Sequence, residues 1–190
     1  MPKLGKQIKI IHESQQVEAL LGPFRSTIGA DYEGYRNHIY RVLSYTLHFL
    51  NGQETERELI ETALVYHDLG LWTERELAYL EPSSALALAD NQKHGWGHEP
   101  ELLHQLIFQH HKLSAYRGPN AALINAMRKA DWIDASMGFR AMGMPRSCIR
   151  EVTRAIPVGG FYDTLKRLGP ELSGGNLARM LGSFSKVYKV

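Results

Sequence analysis

With 190 residues, 44% of them hydrophobic, the chain is long enough to bury one substantial core and short enough to form one domain over 1–190. Its 22 basic and 20 acidic side chains nearly cancel, which excludes a strong global field for nucleic acid or an anionic membrane and leaves any charged partner to be met locally. The single cysteine, Cys148, excludes an intrachain disulfide and fits a reducing, cytoplasmic setting.

The opening stretch, Met1 to Ile10, lacks the continuous apolar run of a signal peptide. No later run approaches the roughly 18 to 20 apolar residues that span a bilayer, so a soluble protein is expected. Asp31 can cap a helix whose apolar register through Tyr35, Ile39, Val42, Leu43, Thr46 and Leu50 ends at Asn51-Gly52. Thr55 and Glu58 have capping-box spacing ahead of Leu59, Ile60, Ala63 and Leu64, with Gly70 as the stop, which places His67 and Asp68 in the last helical turn. Thr73 with Glu76 repeats the box, and Pro82 and Pro100 suit the first turns of helices through Ala85 to Ala89 and Leu102 to His111. Pro119 leads into a helix from Ala121 to Ala135. Two or three more helices are expected in 145–190, punctuated by Pro157, Gly159-Gly160, Gly169-Pro170 and Gly174-Gly175. No alternating strand pattern, repeat or low-complexity tract is found, so the class is all-α, a bundle of about seven to nine helices.

Nine histidines are the compositional oddity. His67 shares a face with Ile60, Ala63 and Leu64, and Asp68 borders Leu64 about 100° further round, so both face inward. A buried carboxylate costs several kcal/mol unless an arginine, backbone amides or a metal ion meets it. An isolated His-Asp pair would be a satisfied core histidine beside a helix-end carboxylate. Here His38, on the face of Tyr35, Arg41, Val42 and Tyr45, and Asp131, on the face of Ile124, Met127 and Ala135, occupy two further helices. Two neutral imidazoles and two carboxylates make a mixed nitrogen and oxygen site suited to a divalent ion such as Mn, Fe, Co, Ni, Zn or Mg.

His38 within Tyr35 to Val42, His67-Asp68 within Ala63 to Gly70, and Asp131 within Lys129 to Trp132 follow in the order of the HD-domain superfamily of metal-dependent phosphohydrolases, which the chain resembles over 31–135. The resemblance implies an all-α domain built around a buried metal site, with 31–135 as the metal-binding core and 136–190 as added C-terminal helices. It implies that His38, His67, Asp68 and Asp131 bind metal and that phosphoester hydrolysis is the reaction. Relatives with two metals add histidines between the His-Asp pair and the last Asp. His110, in the middle of the face of Leu102, Leu103, Leu106 and Leu113, is the candidate here, so one or two ions are expected. Where the cyclic-dinucleotide phosphodiesterases carry His-Pro, this chain has Glu81-Pro82, and their Gly-Tyr-Pro signature is missing, which argues against that substrate. Glu81 is either a second-metal ligand or a solvent-facing residue, and His94 and His98 are loop residues with the same two readings.

A bound divalent ion lowers the pKa of its water and polarises a phosphoryl oxygen, with Asp68 or Asp131 orienting the water or taking its proton. Developing charge needs cations, for which Arg41, His111, Lys112 and Arg117 are candidates. The Arg146, Arg150 and Arg154 stripe reads first as a solvated helix face. Gly169 to Gly175 lacks the Gly-Lys-Ser/Thr ending of a phosphate loop, so ATP binding is not inferred. Ile156 to Phe161 is a candidate turn over the site. The expected partner is a small phosphorylated substrate or nucleotide, with a homo-oligomer left open. The alternatives are a mixed-valent di-iron oxygenase of the same superfamily and a nucleotide-binding module without turnover.

Overall fold

The computed structural model describes residues 7–188. Residues 1–6, which hold much of the stretch considered for a signal peptide, and 189–190 lie outside the described residues. The described chain is helical with no strand: α1 (Gln15–Leu21), α2 (Arg25–Ile28), α3 (Tyr32–Phe49), α4 (Arg57–Tyr66), α5 (Gly70–Thr73), α6 (Leu80–His94), α7 (Pro100–Gln109), α8 (Ala121–Ala135), α9 (Arg146–Ala155), α10 (Phe161–Leu172) and α11 (Leu177–Tyr188). Eight of these run ten residues or more, in line with the expected helical bundle. No helix among the described residues is long and apolar enough to cross a membrane.

The central element is α3, which packs against α8, α4, α9 and α10, while α6 and α7 pair as a hairpin against α4. Its apolar repeat sets it into a core of Tyr35, Ile39, Val42 and Leu43 with Leu64 and Met127. Because neighbours surround it, its polar side chains Arg41, Ser44 and Thr46 are buried as well. Ser44 and Thr46 return their hydroxyls to the carbonyls of Tyr40 and Val42, at 2.8 Å each, and so cost little.

The helix ends depart from the expected caps in ways that matter for the site. Asp31 does not cap α3. Its carboxylate instead accepts from Trp72 Nε1 at 3.0 Å, from Thr164 Oγ1 at 2.9 Å and from Arg167 at 2.6 Å, which ties the start of α3 to α5 and α10. The box of Thr55 and Glu58 does not form, and α4 stops at Tyr66. His67 to Leu69 form a tight turn, with Leu69 N–H donating to Tyr66 O, and Gly70 begins α5 instead of ending α4. Gly70 is required there: a Cβ would lie 2.7 Å from Tyr79 O, and its N–H donates to Ser83 Oγ at 2.9 Å. Thr73 and Glu76 start no helix, because the chain crosses from α5 to α6 through residues 74–79. The expected N-terminal signals of α6, α7 and α8 hold, with Pro100 at the first position of α7.

Gly34, one turn before His38, lets the turn between α9 and α10 approach. A Cβ at Gly34 would lie 2.8 Å from Gly159 O and 3.0 Å from Phe161 N. That approach lays the Phe161 ring on the His38 imidazole, centroids 4.1 Å apart and 14° from parallel.

Candidate metal centre

Four segments bring six side chains to one buried point: His38 from α3, His67 and Asp68 from the turn after α4, His110 and His111 from the turn after α7, and Asp131 from α8. His67, His110 and Asp131 are fully buried, and His111 is the most open of the six at 8% exposure. Consecutive residues on a helix diverge by about 100°. Here both dipeptides lie just past a helix end, where the chain turns more tightly, so both members of each pair face the same point.

The Asp131 carboxylate has Oδ1 3.3 Å from His38 Nε2 and 3.7 Å from His67 Nε2, with Oδ2 3.0 Å from His111 Nδ1. Asp68 Oδ2 is 3.2 Å from His67 Nε2 and 3.9 Å from His38 Nε2, while Oδ1 is 3.3 Å from His110 Nε2. Three of the imidazoles are fixed from behind. His67 Nδ1 lies 2.6 Å from Leu64 O, His110 Nδ1 2.5 Å from Ile107 O and His38 Nδ1 2.7 Å from Asp134 Oδ2. With Nδ1–H donated outward, each ring turns the lone pair of Nε2 toward the cluster, the arrangement a metal-ligating histidine adopts.

Two features show that this point calls for positive charge. First, His38 Nε2 and His67 Nε2 lie 3.1 Å apart, and two lone pairs so close repel unless positive charge sits between or beside them. Second, Asp68 Oδ1, both oxygens of Asp131, His110 Nε2 and His111 Nδ1 are buried with no hydrogen-bond partner, although some are close enough to each other in distance. Five orphaned polar atoms converging on one place would cost on the order of 1 to 3 kcal/mol each. A cation removes that cost, and two overlapping groups are spaced to hold one: His38, His67 and Asp68, and Asp68, His110 and His111.

The charges behave accordingly. Burial opposes ionisation of Asp68, but His67 and His110 outweigh it and hold the carboxyl well below its usual range. Asp131 is likewise lowered, chiefly by His111 against the opposing effect of burial. Burial disfavours the charged form of His38, yet the neighbouring carboxylates of Asp131 and Asp134 carry it up to about 9, and Asp131 similarly raises His111. His110, pushed down to about 4 by burial and by the charge of His111, stays neutral. Protons on histidine and a metal ion are thus alternative ways to balance the two carboxylates.

Behind the cluster stands a residue outside the candidate set read from the sequence. Asp134, one turn beyond Asp131, accepts from Arg41 Nε at 2.6 Å and from the terminal Arg41 nitrogen at 2.7 Å while it holds His38 Nδ1. Its signal in the sequence is the three-residue spacing to Asp131, which puts both carboxylates on the side of α8 that faces α3.

Other candidate residues are distributed around this point. Arg41, expected to meet substrate, is fully buried against Asp134 and the carbonyl of Pro157, so it supports His38 from behind. The segment 156–161 does cover the site, through Phe161. Lys112 is buried with its ammonium over the Phe108 ring, 4.4 Å from the centroid, and its carbonyl accepts from Arg128. Arg117 and Glu81 are exposed. His98 meets Thr62 Oγ1 at 3.0 Å, His94 stacks on Trp96, and His104 meets Ser84 Oγ at 2.7 Å, so none of the three joins the cluster. His111 sits in the cluster itself and also lines the recess beside it.

Clefts of about 470 Å³, over Arg146, Arg150 and Arg154, and about 760 Å³, beside Arg75, touch none of the six residues. A recess of about 210 Å³ does, through His111. No family model, curated protein or solved structure matches the chain.

Proposed function

We propose that this chain is a metal-dependent phosphohydrolase of the HD-domain type, acting on a small phosphate ester or nucleotide through metal-activated water. The observation that supports it most is the set of five buried, unpartnered polar atoms around Asp68 and Asp131. His38, His67, Asp68 and Asp131 would hold one divalent ion, and Asp68, shared, would hold a second with His110 and His111. Bound there, such ions supply a water of lowered pKa and a Lewis acid for the phosphoryl oxygen.

The chain's own residues do the rest. Leu64 O, Ile107 O and Asp134 fix three imidazoles with Nε2 turned inward, so the donor set needs little rearrangement. Asp68 would orient the attacking water and the Asp131 oxygen left free of metal would take its proton, while Phe161 excludes bulk water from the His38 side. Charge also fits. Two divalent ions against the two carboxylates leave a net charge of +2, the match for a phosphate dianion, which accounts for a phosphate site with Arg41 and Lys112 turned elsewhere. Purified protein loaded with Mn, Co, Ni, Mg or Fe should hydrolyse a generic phosphomonoester or diester, and His67→Ala should lose metal and activity together. Absence of hydrolysis with every ion, or unchanged metal content in His67→Ala, overturns the reading.

The apolar character of the recess beside His111 favours a second reading, a mixed-valent di-iron oxygenase with the same donors. Iron analysis and the spin signal of a mixed-valent pair separate the two.

A further inference from the structure

The recess that reaches the cluster through His111 is walled by Leu71, Leu77, Trp132, Leu168 and Val187, and among the described residues that line it none is lysine, arginine, aspartate or glutamate. Tyr79 and Tyr188 bring further aromatic surface against His111, with ring centroids 6.3 and 5.3 Å from it. The indole N–H of Trp132 is already directed to Lys112 O at 3.4 Å, so what the ring offers the recess is apolar. At about 210 Å³ the recess exceeds the roughly 150 Å³ of an apolar cavity that takes up benzene and falls short of the roughly 300 to 1,000 Å³ of sites for drug-sized ligands. Hydroxyl groups placed there would lose water with few partners to replace it, a cost that selects against polyols and sugars.

We propose that this recess binds the alcohol portion of the substrate, and that the substrate is the phosphate ester of a small apolar alcohol of about one ring's bulk, not a nucleotide or a sugar phosphate. The phosphoryl group lies at the His111 end, against the ions, and the hydrocarbon group points away between α8, α10 and α11. This rests on the hydrolase reading, and it explains what the C-terminal third contributes. Leu165, Leu168, Val187 and Tyr188 close a specificity pocket that the metal-binding helices alone leave open.

The proposal is tested by calorimetric titration of the manganese-loaded full chain with cyclohexylphosphonate and with methylphosphonate, which cannot be hydrolysed. Cyclohexylphosphonate should bind at least about tenfold more tightly, the scale on which apolar pockets discriminate. Leu165→Trp and Ala135→Leu, which fill the recess from α10 and from α8, should each cut that ratio to within about threefold. If one variant fails to fold, the other still reads the ratio. Equal affinity for the two phosphonates, binding of neither, or a ratio that the folded variants leave unmoved overturns the proposal. Phosphate release from cyclohexyl phosphate and glycerol phosphate is measured in parallel. Preference for cyclohexylphosphonate without hydrolysis keeps the recess and removes the hydrolase, whereas hydrolysis of both esters with equal phosphonate affinity does the reverse.

Discussion

Asp134 is the residue on which the geometry of the cluster most depends without belonging to it. It takes two hydrogen bonds from a buried Arg41 and fixes the His38 ring, so its charge is used twice. Replacement by Asn leaves a fully buried guanidinium without its counter-charge, a change that costs about 3 to 5 kcal/mol in comparable pairs. The same substitution frees the His38 tautomer, and loss of such a supporting partner costs about 10- to 100-fold in metal affinity. Asp134→Asn should therefore show both a lower urea midpoint and weaker metal retention by elemental analysis. A double variant with Arg41→Met restores part of the stability, because the uncompensated charge is gone, but not the affinity, because His38 is still untethered. If the double variant recovers both, Asp134 acts only as the counter-charge of Arg41 and not through His38.

The elements are held in register by a few polar ties whose pH response has a definite sign. Burial alone would raise the Asp31 carboxyl, but hydrogen bonds from Trp72, Arg167 and Thr164 outweigh it and hold it below its ordinary value of 3.8. A carboxyl depressed on folding contributes stability that is fully present above its unfolded value and is lost as pH falls through the lower folded value. Asp31→Asn should thus cost about 1 kcal/mol at pH 7 and flatten the decline in stability below about pH 5, as read by urea unfolding at several pH values. A variant whose acid limb is as steep as the parent's would show that the tie between α3, α5 and α10 contributes nothing. Gly34→Ala tests the other contact of α10. Its Cβ would press on backbone at 2.8 Å, an overpacking worth about 1 to 3 kcal/mol, and should weaken the stacking of Phe161 on His38. Elements of this kind are only partly legible in the sequence. The apolar register locates α3 and α8, and with them His38 and Asp131, because a 3.6-residue repeat survives any tertiary context. The same repeat places Arg41 on the face of His38, where it lies, but does not reveal its partner, Asp134 on α8. It also sends His111 toward substrate, because a continued helix would swing it about 100° from His110, whereas α7 ends at Gln109 and the turn brings both inward. Asp31 and the pair Thr55 and Glu58 match capping patterns whose side chains are claimed, or left unused, by contacts distant in sequence. Helices α1 and α2, short and held by ties such as Ser14 Oγ to Glu61 at 2.8 Å, have too few turns to show a period.

At the scale of the whole molecule, the donors of the cluster come from α3, α8 and the turns after α4 and α7, so any ion they bind is bound by the folded bundle and by no single segment of it. Unfolding separates residues as distant in sequence as His38 and Asp131. The free energy of binding therefore adds to the free energy of folding: an ion at a hundredfold its dissociation constant contributes about 2.7 kcal/mol. For a chain of 190 residues that corresponds to a rise in Tm of roughly 5 to 11 °C. Calorimetric scans with chelator and with manganese should differ by that amount, in the direction of greater stability with the ion. The rise should vanish in Asp68→Asn, since Asp68 belongs to both groups spaced for a cation, and persist in His12→Ala, an exposed position outside the cluster. A Tm that is the same with chelator and with each divalent ion would mean that the orphaned atoms around Asp131 are balanced by protons on His38 and His111 alone. The two balances differ in sign with pH: proton-based stability falls as pH rises through the raised histidine values, whereas ion-based stability does not fall there, because deprotonated imidazole is the form that binds metal. Scans at pH 7 and pH 9.5 with manganese present therefore distinguish them directly.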